Sequence, residues 1–104
     1  MIIYIAGRYR GKSDNEVFEN IIKARRKAVE LWSEGWVVLC PHANSMFMST
    51  GENEQVFLDG SLELLRKCDA IFMLKDWRFS EGSKAEFTEA CRLNLKILYE
   101  DDGT

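Results

Sequence analysis

Short apolar runs alternate along the chain with longer segments in which apolar residues recur every three or four positions. The runs cover residues 2–6, 36–40, 70–74 and 96–99, and each has the length of a buried strand. The longer segments have the spacing of amphipathic helices, most clearly in residues 13–34. Regular alternation of strands and helices predicts a parallel sheet.

Local signals mark the ends of the first helix. Ser13 and Glu16 have the spacing of a capping box, and Gly35 stands where a left-handed residue would end the helix. Two further helices are expected over about residues 59–67 and 83–93.

The segment 41–57 is long for a connection and has no clear periodicity. Met46, Phe47 and Met48 nevertheless make it apolar. Long loops in compact domains are often functional. We interpret this one as a lid or an oligomer contact, with packing back onto the core as the alternative.

The order of these elements predicts a flavodoxin-like three-layer α/β sandwich with strand order 2-1-3-4 and helices on both faces of the sheet. The 104 residues fit a single domain, 1–104. Ligands of such sheets bind beyond the carboxyl ends of the strands. That edge should gather the loop after the first strand (7–12), the loop after the second, and the loop after the third (75–83).

Charge and composition narrow the classes of partner. A formal net charge of -3 argues against binding to nucleic acid, which depends on clustered Lys and Arg. No segment approaches the ~20 apolar residues of a membrane span, and the N-terminus lacks the pattern of a signal peptide. We therefore expect a cytoplasmic protein with no membrane partner, and its small core favours a homodimer or a higher homo-oligomer.

Cysteine and histidine usage predicts neither disulfides nor metal. Cys40, Cys68 and Cys91 are far apart and form no CxxC pair, which is typical of buried thiols in a reducing compartment. His42 is the only histidine. We therefore expect no metal site and no cofactor.

Residues 6–13, AGRYRGKS, approximate a phosphate loop, but the first glycine is displaced by one position and the interior is bulky. An anion-binding turn is the favoured interpretation. In it Gly7 and Gly11 free backbone amides, while Arg10 and the following helix N-terminus supply positive potential. Two alternatives stay open: a phosphate-loop enzyme that uses Lys12, and basic side chains that are merely solvated.

The stretch 77–90, WRFSEGSKAEFTEA, has two interpretations. In the first, Ser83 caps the helix and Glu86 completes a capping box. In the second, Glu86 lies in the first helical turn at the carboxyl edge of the sheet, where the helix field favours an ionised carboxylate able to attack an electrophile. Ser80 and the amides around Gly82 would then hold a phosphate or hydroxyl. The residues alone support both interpretations equally.

Two nearby side chains also have both a binding and a packing interpretation. Trp77 has the flat surface to stack on a base, and His42 after Pro41 lies where it could enter the same cleft. Asp69 precedes the third strand, so we place it at the amino end of that strand, away from this chemistry.

The segments YIAGRYRG and LLRKCDAIFMLKDWRFSEGSKAEFTEA, with the strand that ends in Pro41, resemble the nucleoside 2-deoxyribosyltransferase-like superfamily. The closest similarity is to its small, largely uncharacterised DUF4406-like branch. The most specific part is the spacing of Ser80, Gly82 and Glu86. The resemblance implies that Glu86 attacks the anomeric carbon of a nucleoside or nucleoside 5′-monophosphate and releases the base. The glycosyl-enzyme is then resolved by water or a second base, as in retaining glycosidases.

The resemblance also implies binding roles at the carboxyl edge of the sheet. Gly7 would let the sugar approach the backbone, and a 5′-phosphate or hydroxyl would be held by Arg10, Gly11, Ser80 and Gly82. Relatives often complete the pocket with a neighbouring subunit.

One position departs from the pattern of the relatives, which usually carry an aspartate where this chain has Ser61. Asp59 is the nearest replacement for this second acid, although it would lie on a different side of its helix, and His42 or Asp76 are alternatives. The departure favours the runner-up function, a non-catalytic nucleotide-binding or regulatory module on the same fold.

Overall fold

The structure, a computed structural model, describes residues 1–44, 46, 48 and 52–100. Strands and helices alternate through this range. In chain order they are β1 (Ile2–Ala6), α1 (Asp14–Ser33), β2 (Val37–Leu39), α2 (Pro41–Asn44), α3 (Glu54–Leu65), β3 (Ala70–Met73), a 3₁₀ turn (Trp77–Phe79), α4 (Glu81–Arg92) and β4 (Lys96–Tyr99).

The four strands form one parallel sheet in the order β2-β1-β3-β4. This confirms the predicted fold class and strand order. Tyr4 in the central strand β1 pairs in register with Leu39 of β2 and Ile71 of β3. Asp69 lies at the amino end of β3, as predicted, where its carboxylate accepts a hydrogen bond from the Ile2 backbone at 2.7 Å.

Alternate side chains of the strands form two cores, one on each face of the sheet. On the first face α1, which contributes Ala24, packs over apolar side chains that include Ile3, Ile5, Phe72 and Leu74. The second face, beneath α3 and α4, includes Tyr4, Leu65, Ile71, Met73 and Ala90. Tyr4 is the one strand residue in this set that brings a hydroxyl into the core.

The predicted ends of α1 are confirmed. The Ser13 hydroxyl accepts a hydrogen bond from the Glu16 backbone at 3.2 Å. The Glu16 carboxylate accepts one in return from the backbone N–H of Lys12, at 3.2 Å. At the other end Gly35 has φ +98°, the left-handed conformation that glycine adopts without strain.

The prediction for the segment 41–57 is partly wrong, because α2 lies within it and α3 begins at Glu54 instead of residue 59. The side chain of Glu54 forms an ion pair with Arg10. Exposed Val56 interrupts the helical period that would have marked this start. Met46 and Met48 are exposed, whereas Phe47 lies outside the described residues, so the lid or oligomer contact stays a prediction.

The three cysteines are free thiols in different environments. Cys68 is buried and Cys40 partly buried, but Cys91 is exposed, so the prediction that all three are buried is wrong. Cys91 follows Ala90, which faces the sheet, and one residue along a helix turns the side chain by about 100°.

Candidate functional site

The N-terminus of α4 is capped by Ser80. The backbone of Ser80 is extended (φ -129°, ψ 118°), and its hydroxyl accepts a hydrogen bond from the Ser83 backbone at 3.1 Å. The helix therefore starts at Glu81, one turn before the capping box expected from Ser83 and Glu86. The interpretation of Glu86 as a cap is wrong.

Glu86 is the sixth residue of α4 and faces the sheet. Its side chain is 8% exposed, and its Oε2 accepts a hydrogen bond from the Tyr4 hydroxyl. Burial raises the pKa of Glu86 from 4.5 to about 7, although the Tyr4 hydrogen bond lowers it. The expectation of a first-turn carboxylate ionised by the helix field is therefore wrong, because the second turn lies beyond that field.

Tyr4 connects Glu86 to a third element of the fold. Its hydroxyl donates to Glu86, and the Ser61 side chain of α3 lies near enough to that hydroxyl to lower the Tyr4 pKa. Burial raises the pKa of Tyr4 well above 10, and the neighbouring carboxylate raises it further. The phenol therefore keeps its proton at physiological pH and can only donate to Glu86. Side chains from β1, α3 and α4 thus come together around the Tyr4 hydroxyl.

Tyr4 is a site residue that was not predicted, although the sequence contains a signal for it. Residues 2–6 are otherwise aliphatic or small, and a tyrosine buried in such a strand needs a hydrogen-bond partner for its hydroxyl. The partner could not be identified without the packing of α4 against β1.

Ser83 is a second polar residue on the buried side of α4. It is 1% exposed, and its Oγ has no hydrogen-bond partner among the described residues. Ser83 precedes Glu86 by three positions, so the two side chains lie on the same side of the helix, one turn apart.

The loop after β1 is held in place by side chains of three other segments. The Asn20 amide of α1 donates to the carbonyls of Tyr9 (3.2 Å) and Arg10 (3.1 Å). The Asp76 carboxylate, from the loop after β3, accepts from the Arg8 backbone at 3.2 Å. The carbonyl of Arg8 accepts from His42 Nε2 at 3.1 Å.

Several groups of the loop after β1 that were predicted to bind an anion already have partners within the chain. The backbone N–H of Arg8 already donates to Asp76, and that of Lys12 to Glu16. Arg10 is exposed and forms an ion pair with Glu54 of α3. An anion at this loop would therefore have to compete with carboxylates of the chain itself, whereas the N-terminus of α4 carries the amides around Gly82.

Gly7 has a packing reason to be glycine. It is buried, and a Cβ added to it would lie 2.5 Å from Leu74 Cδ1 and 2.8 Å from Leu74 Cβ. Leu74, itself buried, directly follows β3. The space beside Gly7 is thus filled by Leu74, so the close approach predicted for a sugar is made here by a neighbouring strand end.

We expect Gly7→Ala to lower the free energy of unfolding by about 1–3 kcal/mol, because the added methyl overpacks against Leu74. Urea unfolding measures this change. Gly60→Ala is the matched control, since nothing lies within 4 Å of its added Cβ. Inside α3 that control should raise stability by about 0.5–1 kcal/mol. Equal stability of Gly7→Ala and the wild type would contradict the packing explanation.

One known family matches almost the whole chain. A family described as a domain of unknown function, DUF4406, matches residues 1–99. The chain belongs to this family. No curated protein matches it. Every residue of the site in this DUF4406 chain, including Tyr4, Ser61 and Glu86, lies in the matched range.

His42 and Trp77 of this DUF4406 chain are engaged in packing. His42 is buried, which lowers its pKa, and its ring meets that of Tyr9 edge-on with centroids 5.8 Å apart. Trp77 stacks on Phe87 at a centroid distance of 4.6 Å, and the guanidinium of Arg78 lies 4.8 Å from its ring centre. The binding roles of both residues stay predictions.

Asp59 does not lie beside Glu86, as a second catalytic acid would have to. It is exposed on α3, and its carboxylate accepts a hydrogen bond from Gln55 at 2.8 Å. Ser61, two residues later, is the α3 residue that lies near the Tyr4 hydroxyl and lowers its pKa. The expectation that Asp59 lies on a different side of the helix is therefore confirmed.

Within the described ranges, no group of three His, Cys, Asp or Glu side chains is placed to hold a metal ion. No helix in the same ranges has the length and apolar character needed to cross a membrane.

Proposed function

We propose that this chain binds a nucleoside or nucleoside 5′-monophosphate and cleaves or exchanges its N-glycosidic bond, with Glu86 as the nucleophile. The proposal includes membership of the nucleoside 2-deoxyribosyltransferase-like superfamily. The observation that carries it is the position of Glu86, which is buried, hydrogen-bonded to Tyr4 and absent from the helix cap.

Burying a carboxylate lowers the stability of the fold, so a functional role is a reason for Glu86 to be kept there. Removing the charged form from water disfavours ionisation, which is why the pKa of Glu86 is raised to about 7. Perturbed acids of this kind cluster at functional sites. A poorly hydrated carboxylate is a reactive nucleophile once it is ionised.

The proposed reaction has two steps. In the first, a Glu86 carboxylate oxygen forms a bond to the anomeric carbon while the bond to the base nitrogen breaks, and the base leaves with that electron pair and takes up a proton. In the second, water or the nitrogen of another base attacks the same carbon, loses a proton and releases the carboxylate. Two inversions at one carbon retain its configuration.

The N-terminus of α4 supports binding of a phosphate or hydroxyl beside this carboxylate. Free amides and the positive end of the helix dipole attract such groups. Ser80 and Gly82 lie at this end, and the side of Gly82 is open enough that an added Cβ would come no closer than 3.8 Å to another atom.

One observation favours a second candidate function, a non-catalytic nucleotide-binding or regulatory module. The position of the aspartate expected from the resemblance is Ser61, and exposed Asp59 bonds to Gln55 instead. Proton delivery to the leaving base would then fall to another group, and without it the chain would bind nucleotides only.

The test is to incubate the protein with a panel of nucleosides and nucleoside monophosphates, with and without an acceptor base, and to follow free base by chromatography. We expect the wild type to release base from at least one of them. Lys12→Ala should release it equally well, whereas this variant would be inactive if the chain were a phosphate-loop enzyme. Calorimetry with the same panel separates the rivals. Binding without release of base would favour the non-catalytic binding module. A protein that shows no binding and no release would overturn both candidate functions.

A further inference from the structure

Helix α3 lies across the candidate site, and one side of it faces the other elements. The residues on this side recur at spacings of four, three and four: Glu54, Leu58, Ser61 and Leu65. Glu54 forms an ion pair with Arg10 in the loop after β1. One helical turn further on, Leu58 Cδ1 lies 3.9 Å from the position that a Cβ on Gly82 would occupy. Because one turn of helix spans only about 5 Å, Arg10 and the start of α4 are neighbours beneath α3.

The same side of α3 continues over the buried carboxylate. Ser61 lies near the Tyr4 hydroxyl, which donates to Glu86, and Leu65 is buried in the core beneath α3 and α4. Glu86 is 8% exposed and Ser83 only 1%. A nucleoside cannot reach either side chain at this degree of burial. Part of the cover therefore has to move before the proposed reaction can begin.

The first turns of α3 are the part of the cover that is held least firmly. Among the twelve residues of this helix, all of which the structure describes, Leu65 at the last position is the only buried one. Helices α1 and α4 have five and three buried residues. The other end of α3 is held by the pair of Glu54 with Arg10, whose side chains are 50% and 64% exposed. Exposed ion pairs contribute little stability, and segments with few buried contacts are the ones that open locally.

A phosphate has the chemistry to release this end of α3. The guanidinium of Arg10 presents a planar set of N–H donors that binds carboxylate and phosphate in the same way. The amides at the start of α4 lie beside it and also attract anions. Ser83, in the first turn of α4, is buried with a hydroxyl that has no partner among the described residues. A phosphate between Arg10 and this turn would take the guanidinium from Glu54 and repel the Glu54 carboxylate.

We propose that α3 is a gate over Glu86, latched by the ion pair of Glu54 with Arg10, and that the phosphate of a nucleoside 5′-monophosphate opens it by taking Arg10 from Glu54. The identity of this ligand rests on the proposed function, whereas the gate itself does not. A nucleoside without a phosphate has to break the same ion pair and gains no contact with Arg10 in return. Nucleoside 5′-monophosphates should therefore be preferred over nucleosides.

Two substitutions, Glu54→Gln and Arg10→Gln, separate a latch from simple phosphate binding by Arg10. The kcat/KM of base release is measured with a nucleoside and with its 5′-monophosphate. Glu54→Gln should raise kcat/KM for both substrates, by about 2- to 5-fold for the nucleoside, the range that an exposed ion pair allows. Arg10→Gln should give the nucleoside the same gain, whereas the advantage of the monophosphate should fall at least ~5-fold. Glu63→Gln, exposed on the same helix, is the control and should match the wild type.

The nucleoside decides the outcome of this experiment, because it carries no charge that the substitutions could attract or repel. If Arg10 only bound phosphate, its replacement would leave cleavage of the nucleoside unchanged. Unchanged nucleoside cleavage in either variant therefore overturns the latch. Both substituted side chains are at least half exposed, so we expect wild-type circular dichroism. Each substitution breaks the same ion pair, so a variant that does not fold leaves the other to decide.

A second measurement tests the gate without any substrate. In Ser83→Cys the new thiol is buried while α3 covers the start of α4, so its rate of modification by a small methylthiolating reagent reports how often the gate opens. Mass spectrometry of tryptic peptides distinguishes this thiol from exposed Cys91, since Lys84 lies between them. If Ser83→Cys does not fold, Gly82→Cys replaces it, because a Cβ there has room.

We expect the modification rate to rise about 2- to 5-fold when Glu54→Gln is added, and also when inorganic phosphate is added to the chain with the intact ion pair. Phosphate should have no such effect in Arg10→Gln, nor should sodium chloride at the same ionic strength in the chain with the intact pair. A rate that responds to neither Glu54→Gln nor phosphate overturns the gate, and an equal effect of sodium chloride overturns opening by phosphate. A protein that releases no base but shows the expected rates would overturn the proposed function and keep the gate.

Discussion

Glu86→Gln is expected to lower base release by a factor of at least about 10³, because the amide cannot form the bond to the anomeric carbon. The substitution keeps the size of the side chain and an oxygen that accepts the hydrogen bond of Tyr4. Ligand binding should therefore be spared. Chromatography of the free base, with calorimetry for binding, measures both.

The same substitution should stabilise the fold at neutral and higher pH. Burial raises the folded-state pKa of Glu86 from 4.5 to about 7, so the folded chain holds this proton over a pH range in which the unfolded chain has lost it. Stability contributed by this group is fully present below pH 4.5 and is lost as pH rises through 7. The difference corresponds to about 3 kcal/mol.

Urea unfolding of the wild type and Glu86→Gln at pH 4.5, 6 and 8 tests this linkage. We expect the free energies of unfolding to diverge in favour of the variant between the first and last pH. Glu81→Gln is the matched control on the same helix, with a side chain that is 94% exposed. It should change stability by less than about 0.5 kcal/mol and leave base release unchanged.

The two measurements distinguish a nucleophile from a structural carboxylate. A Glu86→Gln protein that gains stability but still releases base would remove Glu86 from the chemistry. A wild type whose stability is independent of pH in this range would contradict the burial of the charge. Loss of activity together with a gain in stability is the combination expected where a fold gives up stability for function.

The fold could be predicted because its signals are local and mutually consistent. Each strand is a short apolar run, and the capping signal at Ser13 and the glycine at position 35 mark the ends of α1. Helix α3 was harder to place. In its first turns Val56 is exposed and Glu54 pairs with Arg10, so the apolar residues there do not follow a simple inward-facing period.

The site could be predicted only in part. A helix after β3, at the carboxyl edge of the sheet, was predicted, but its start was placed at Ser83 and the structure places its cap at Ser80. Two serines three residues apart can each cap a helix, and the sequence does not distinguish Ser80 from Ser83. The environment of Glu86 depends on Tyr4, which is 82 residues away in the chain, and contacts of that kind have no local signal.

Tyr4→Phe is expected to lower base release at pH 7 by roughly 10- to 100-fold, the equivalent of one hydrogen bond to a charged group. The Tyr4 hydroxyl lowers the pKa of Glu86 against the larger effect of burial. Without it the pKa of Glu86 should rise, so less of the carboxylate is ionised at neutral pH. The rising limb of the pH-rate profile should therefore move to higher pH.

This shift separates a positioning role of Tyr4 from a structural one. If Tyr4 stabilises the ionised form of Glu86, activity of Tyr4→Phe should recover in part at pH 9, where the carboxylate is again ionised. If the substitution merely loosened the core, the rate would fall by the same factor at every pH. Tyr99→Phe makes the same chemical change on the exposed strand β4, and its pH-rate profile should match the wild type. An unshifted profile for Tyr4→Phe would show that the hydrogen bond between Tyr4 and Glu86 does not control the ionisation on which the reaction depends.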